Sequence, residues 1–132
     1  MKQILMVESS PRGTESASRS LTRKVRERLE LQYPDAKIIV RDLAESGLPH
    51  LDQAAVHAMF ALGRDNTEWT QSALRLSDLL TDELLSSDLV VIASPMWNFA
   101  IPSSLKAWID HIVSPGRTFR YAGEGQIGRA HV

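Results

Sequence analysis

The sequence predicts an α/β chain built on a parallel sheet. Three observations carry this expectation. Short apolar runs of strand length recur at 3–7, 37–40 and 89–93. Each is followed by a stretch whose apolar residues fall at helical spacing. Turn-forming residues punctuate the joints, as at Tyr33-Pro34-Asp35 and Ser114-Pro115-Gly116. Continuous apolar strands alternating with helices describe strands covered on both faces and joined by right-handed crossovers.

Taken in order, Gln3-Ile4-Leu5-Met6-Val7 reads as a buried strand that ends at Glu8-Ser9-Ser10-Pro11. Residues 9–18 read as a loop, because Ser, Thr, Gly and Pro dominate and Pro11 biases Ser10 away from helix. A helix is expected over 18–32, with Leu21, Val25 and Leu29 four apart on its apolar face. Lys37-Ile38-Ile39-Val40 is the second strand. Gly47, Pro49 and Asp52 open an irregular excursion to Asn66 that contains a short helix over 54–62. The next helix runs over 68–86 on Leu76, Leu79, Leu80 and Leu84, and the third strand follows at 89–93. Pro102 suits a first helical position and opens a helix through Val113.

The chain of 132 residues makes at most one domain with a real core, and it contains no internal repeat. A formal net charge of −1 offers no overall field for nucleic acid or an anionic membrane. Arg19, Arg23, Lys24, Arg26 and Arg28 are interleaved with Glu27 and Glu30 and read as a solvated helix face. Without cysteine there is no disulfide, thiolate nucleophile or thiolate metal site. No run approaches the roughly 20 apolar residues of a membrane span, and the expected location is cytoplasmic. His50, His57 and His111 lack ligand spacing, so no metal site is expected.

In parallel α/β sheets, ligands bind beyond the carboxyl ends of the strands. Two unusual loops are expected to meet there. The first, Ser9-Ser10-Pro11-Arg12-Gly13-Thr14-Glu15-Ser16-Ala17-Ser18, gathers hydroxyls at a helix N-terminus, where unsatisfied N–H groups and the helix dipole favour an anion. It has neither the Gly-x-x-x-x-Gly-Lys-Ser/Thr spacing of a triphosphate loop nor the Gly-x-Gly-x-x-Gly of a dinucleotide loop. A single phosphate monoester suits it; helix capping by Ser16 or Ser18 with the other hydroxyls facing water is the plainer alternative. The second loop places Pro95, Met96, Trp97, Asn98 and Phe99 at the mouth of the third strand. Large apolar groups there suit a flat apolar ligand, while packing beneath the following helix, as for Trp108, is the alternative.

Ser9-Ser10 with Ser16-Ala17-Ser18, the Pro95–Phe99 element and Thr118-Phe119-Arg120-Tyr121 together resemble the FMN-dependent NADH azoreductase and quinone reductase family, in register from Met1 to about Gly125. The resemblance implies a flavodoxin-like three-layer parallel sheet. It also implies one FMN per subunit at a homodimer interface, with NADH as electron donor and ping-pong delivery of electrons to a quinone or azo compound. It assigns Ser10, Ser16, Ala17 and Ser18 to the phosphate and Pro95, Met96, Trp97, Asn98 and Phe99 to the flavin ring, with no catalytic side chain. Two positions depart from the pattern: Trp97 stands where many members have Tyr, and Ala17 where relatives carry a polar side chain.

Only three of the family's five strands are expected in this chain. The residues Ile127-Gly128-Arg129-Ala130-His131-Val132 are also the translation of ATC GGA AGA GCA CAC GTC, a common short-read sequencing adapter. The expectation is therefore a domain part over 1–126, a non-native tail over 127–132, and a chain that by itself folds poorly or holds FMN weakly. Rival readings are a flavodoxin-type electron carrier, an inactive fragment of the enzyme, and a receiver-type signalling domain. Carriers are commonly acidic, and a receiver would need acidic residues where Ser9, Ser10 and Ser94 stand.

Overall fold

The computed structural model describes residues 1–60, 68–122 and 126–128. Its elements are β1 (Gln3–Glu8), a 3-10 turn (Gly13–Glu15), α1 (Ala17–Gln32), β2 (Lys37–Asp42), α2 (Leu43–Ser46), α3 (Gln53–Met59), α4 (Glu68–Leu85), β3 (Leu89–Ala93), α5 (Ser103–Ile112), β4 (Arg120–Ala122) and β5 (Gln126–Gly128). The chain divides into two compact units. One comprises Met1–Leu48 with Ser86–Lys106, and the other Pro49–Leu85 with Ala107–Val132.

The first unit holds a three-stranded parallel sheet of order β2-β1-β3. Gln3 pairs with Lys37 and Ile4 with Leu89, so the strands end level at Glu8, Asp42 and Ala93. This confirms the predicted sheet and puts the loops after β1 and β3 at the same end. Central β1 is buried throughout Ile4–Val7, as a continuous apolar run requires. The outer strands depart from the expectation of two covered faces: Val40 and Ile92 are exposed. Within the described residues β2 and β3 are the edges of the sheet, and edge strands are incompletely covered.

Helix α1 begins one residue before the predicted start. Ser16 is its N-cap, its hydroxyl accepting from the Arg19 N–H at 3.3 Å. The buried stripe also differs from the expected one. Leu21 is 63% exposed, while Thr22 is buried and its hydroxyl donates to the Ser18 carbonyl at 2.7 Å. Ser18, Thr22, Val25 and Leu29 form the inward stripe, one position round from Leu21. Helix α2, a single turn capped by Asp42 and closed by Gly47 at φ +59°, was not anticipated.

In the second unit α3 and α4 pack through Ala58, Met59 and Leu74, with Leu51 against them. Trp108 is buried, as predicted. His111 is buried too, with Nε2 at 2.8 Å from the Pro49 carbonyl and Nδ1 at 2.7 Å from the Ser77 hydroxyl. A carbonyl only accepts, so Nε2 carries the proton and the imidazole serves as a structural tie. The antiparallel pair β4–β5 lies outside the anticipated elements. Residues 61–62 of the expected short helix, and residues 129–132 of the expected tail, lie outside the described residues.

Candidate functional site: a cleft between the loops after β1 and β3

The loop after β1 is fastened to the end of β3. The Ser9 hydroxyl donates to the Ala93 carbonyl at 2.7 Å, and the Ser104 hydroxyl reaches the Ser9 carbonyl at 3.5 Å. Both Ser9 and Ser10 are fully buried, so these hydroxyls do not simply face water. Ser10 accepts from the Arg12 N–H at 3.3 Å, which leaves its own proton for a further acceptor. Ser16 caps α1 and shares a 2.9 Å hydrogen bond with the Ser18 hydroxyl. Ser16 is therefore a helix cap, as the plainer alternative had it, with Ser18 hydrogen-bonded beside it.

After β3 the chain makes a two-residue turn. Trp97 and Ala100 exchange both backbone hydrogen bonds at 2.9 Å, and the residues between them, Asn98 and Phe99, have φ of +49° and +64°. Two successive positive φ values define the hairpin turn that favours Asn followed by Gly. Phe occupies the glycine position here. Its side chain is 97% exposed, and Met96 and Trp97 are exposed beside it. Phe99 thus holds a left-handed backbone conformation without any burial of its ring to offset the strain.

The two loops line one cleft of about 440 Å³, bounded by Ser10, Arg12, Ser16, Ala17, Ser18, Ser94, Pro95, Met96 and Trp97. Trp97 also borders a neighbouring cleft of about 780 Å³ together with Asn98, Ile101, Pro102 and Lys106. The predicted residues Ser10, Ser16, Ala17, Ser18, Pro95, Met96 and Trp97 are therefore brought together. Asn98 stands in the adjoining cleft, and Phe99 lines neither. Arg12 and Ser94 were missed by sequence reasoning. Arg12, a cation inside a hydroxyl-rich loop, was the legible signal, and it has no ion pair among the described residues.

Chemically, the cleft joins a donor-rich end at the start of α1 to an apolar, ring-bearing end at the Trp97 turn. Its size suits a small-molecule ligand. The residues that line it include no carboxylate or imidazole. Among the described residues no cluster of His, Cys, Asp or Glu could hold a metal ion.

A family model described as flavodoxin-like fold matches residues 2–131. The chain belongs to that flavodoxin-like family. Among curated relatives, the FMN-dependent NADH:quinone oxidoreductase of Beijerinckia indica is 55% identical over 130 residues, covering 98% of this chain and 64% of the relative. The protein of the same name from Azotobacter vinelandii is 43% identical, covering 97% of this chain and 64% of that one. This flavodoxin-like chain thus spans about 64% of the length of the relatives it matches. Of solved structures, an azoreductase from Bacillus anthracis superposes with TM-score 0.84 at 30% identity, covering 95% of this chain and 62% of that one. An FMN-dependent NADH-azoreductase of the same species, solved in complex with FMN, superposes with TM-score 0.81 at 25% identity, covering 95% and 61%.

Proposed function

We propose that this chain carries the FMN-holding loops of an oxidoreductase that passes electrons from NADH to quinones and azo compounds. The observation that carries this reading is the single cleft in which the serine loop after β1 faces the Trp97 turn after β3. The names of the relatives, and the FMN in one structural neighbour, support it.

The residues fit the cofactor at both ends. Hydroxyls of Ser10, Ser16 and Ser18, the N–H groups opening α1, and the Arg12 guanidinium offer donors and positive charge to one phosphate. Ala17 contributes there through its backbone alone. At the other end Pro95 fixes the exit from β3, Trp97 offers a flat face, and Met96 offers a polarizable apolar surface. Asn98 provides an amide that both donates and accepts. When bound, FMN supplies the ring chemistry that accepts electrons from NADH and returns them to an acceptor.

The remaining work of the protein is to orient the ring and keep one face open to a site that donor and acceptor occupy in turn. The exposed Met96, Phe99 and Ile101 provide the apolar surface on which a second copy would complete that site as a homodimer. The expected setting is cytoplasmic; no helix among the described residues is long and apolar enough to cross a membrane.

The test is steady-state NADH oxidation by the chain with added FMN, using a benzoquinone or an azo dye as acceptor. The expected result is turnover that requires both FMN and acceptor. Stoichiometric FMN binding without NADH oxidation would instead identify an electron-carrier module.

A further inference from the structure

A second cavity, of about 400 Å³, opens between α1 and the sheet on the β2 side. Met6 and Val40 contribute apolar surface to it, and Arg19, Arg23, Arg26, Glu8, Asp42 and Glu45 supply charge, Arg26 being paired with Glu30 at 2.8 Å. Arg19 is already committed. Its guanidinium donates to both Asp42 oxygens at 2.7 and 2.9 Å and to the Ser10 carbonyl at 2.8 Å. Glu8 is committed less fully, through charge attraction to Arg19. It is 6% exposed at the end of β1, and its Oε2 is buried without a hydrogen-bond partner. A buried carboxyl oxygen left without a donor is costly, and such a group in a native fold calls for an explanation. Arg23, on the cavity wall, has no ion pair among the described residues.

We propose that this cavity binds a small zwitterion with an amidine or guanidine at one end and an anionic group at the other. Paired N–H donors in one plane match the two oxygens of the Glu8 carboxyl, because a fork of parallel hydrogen bonds satisfies both at once. The apolar middle of the ligand lies along Met6 and Val40, and its anion meets the Arg23 guanidinium. With Arg19 neutralised by Asp42, a simple cation is disfavoured by Arg23 and a simple anion by Glu8; a ligand carrying both charges meets each with its opposite. The cavity's lining shares no residue with the 440 Å³ cleft of the serine loop, and only Pro11 with the adjoining 780 Å³ cleft.

The test is calorimetric titration of para-amidinobenzoate into the full 132-residue chain, with benzoate as the control that lacks the N–H pair. Saturable binding of the amidine at one equivalent is expected, with benzoate weaker by about tenfold or more. Glu8→Gln replaces an acceptor by a donor and is expected to remove that difference. Arg23→Ala, at an exposed position that does not disturb folding, is expected to weaken para-amidinobenzoate several-fold while leaving benzamidine unweakened. Equal or absent binding of the amidine and benzoate overturns the proposal. So does unchanged affinity in Arg23→Ala, or competitive displacement of the amidine by FMN.

Discussion

Phe99 occupies a backbone conformation that glycine adopts freely and other residues adopt at a cost of about 1–2 kcal/mol. Its ring is 97% exposed, so nothing in the folded chain offsets that cost. Phe99→Gly is therefore expected to raise stability by about 1 kcal/mol, measured as a shift of the urea midpoint at constant slope. The same variant should hold FMN less tightly, because the turn that carries Trp97 and Asn98 loses its fixed shape, although Phe99 itself borders neither cleft. At the opposite end of the cleft, Ser16→Ala removes the cap of α1 and is expected to cost about 1 kcal/mol, read from the same denaturation curve. The opposite signs distinguish a residue kept at the expense of stability from one that serves stability and ligand together.

The Arg19–Asp42 pair joins the first turn of α1 to the end of β2, with side chains 18% and 17% exposed. The hydrogen bond from Arg19 holds the Asp42 carboxyl below its ordinary range, and the bond to Asp42 raises the Arg19 guanidinium. A carboxyl depressed in the folded state contributes stability that is fully present above its unfolded pKa. That contribution is lost as pH falls from about 4 through the lower folded value. Asp42→Asn should flatten the acid limb of a stability–pH profile in that window and leave the slope near neutrality unchanged. An acid limb as steep as that of the unsubstituted chain would remove the pair from the explanation.

At this scale the sequence was informative to different degrees. The three strands were legible because each is an unbroken apolar run, and β3 was located at Leu89–Ala93 to the residue. The start of α1 was nearly so, because serine at the cap is a chemical signal. Which helix face turns inward was less legible. Leu21 and Leu79 keep helical spacing yet are 63% and 54% exposed, since periodicity gives a stripe and the neighbouring elements choose it. The one-turn α2 and the three-residue strands β4 and β5 are too short to leave any pattern. In the cleft, residue types identified the two loops, but neither the burial of Ser10 nor the place of Arg12 follows from spacing.

For the molecule as a whole, the near-neutral charge of −1 gives little electrostatic protection against self-association. The outward side of β3 pairs with no strand among the described residues, and Ile92 there is 51% exposed. An apolar edge strand templates further strand pairing. Ile92→Lys is expected to lower light scattering at a given protein concentration, with the far-ultraviolet circular dichroism unchanged. A fall in scattering together with lost ellipticity would show that the side chain supports the fold rather than merely exposing the edge.

The most direct measurement of how the cleft works compares FMN with riboflavin, which differ by the phosphate, in parallel fluorescence titrations. If Ser10, Ser16, Ser18 and Arg12 grip the phosphate while the Trp97 turn grips the ring, FMN binds more tightly than riboflavin. Ser16→Ala and Arg12→Ala then shrink that preference, while Trp97→Ala weakens both ligands by the same factor. Equal affinity for the two flavins, or a preference untouched by Ser16→Ala and Arg12→Ala, would contradict it.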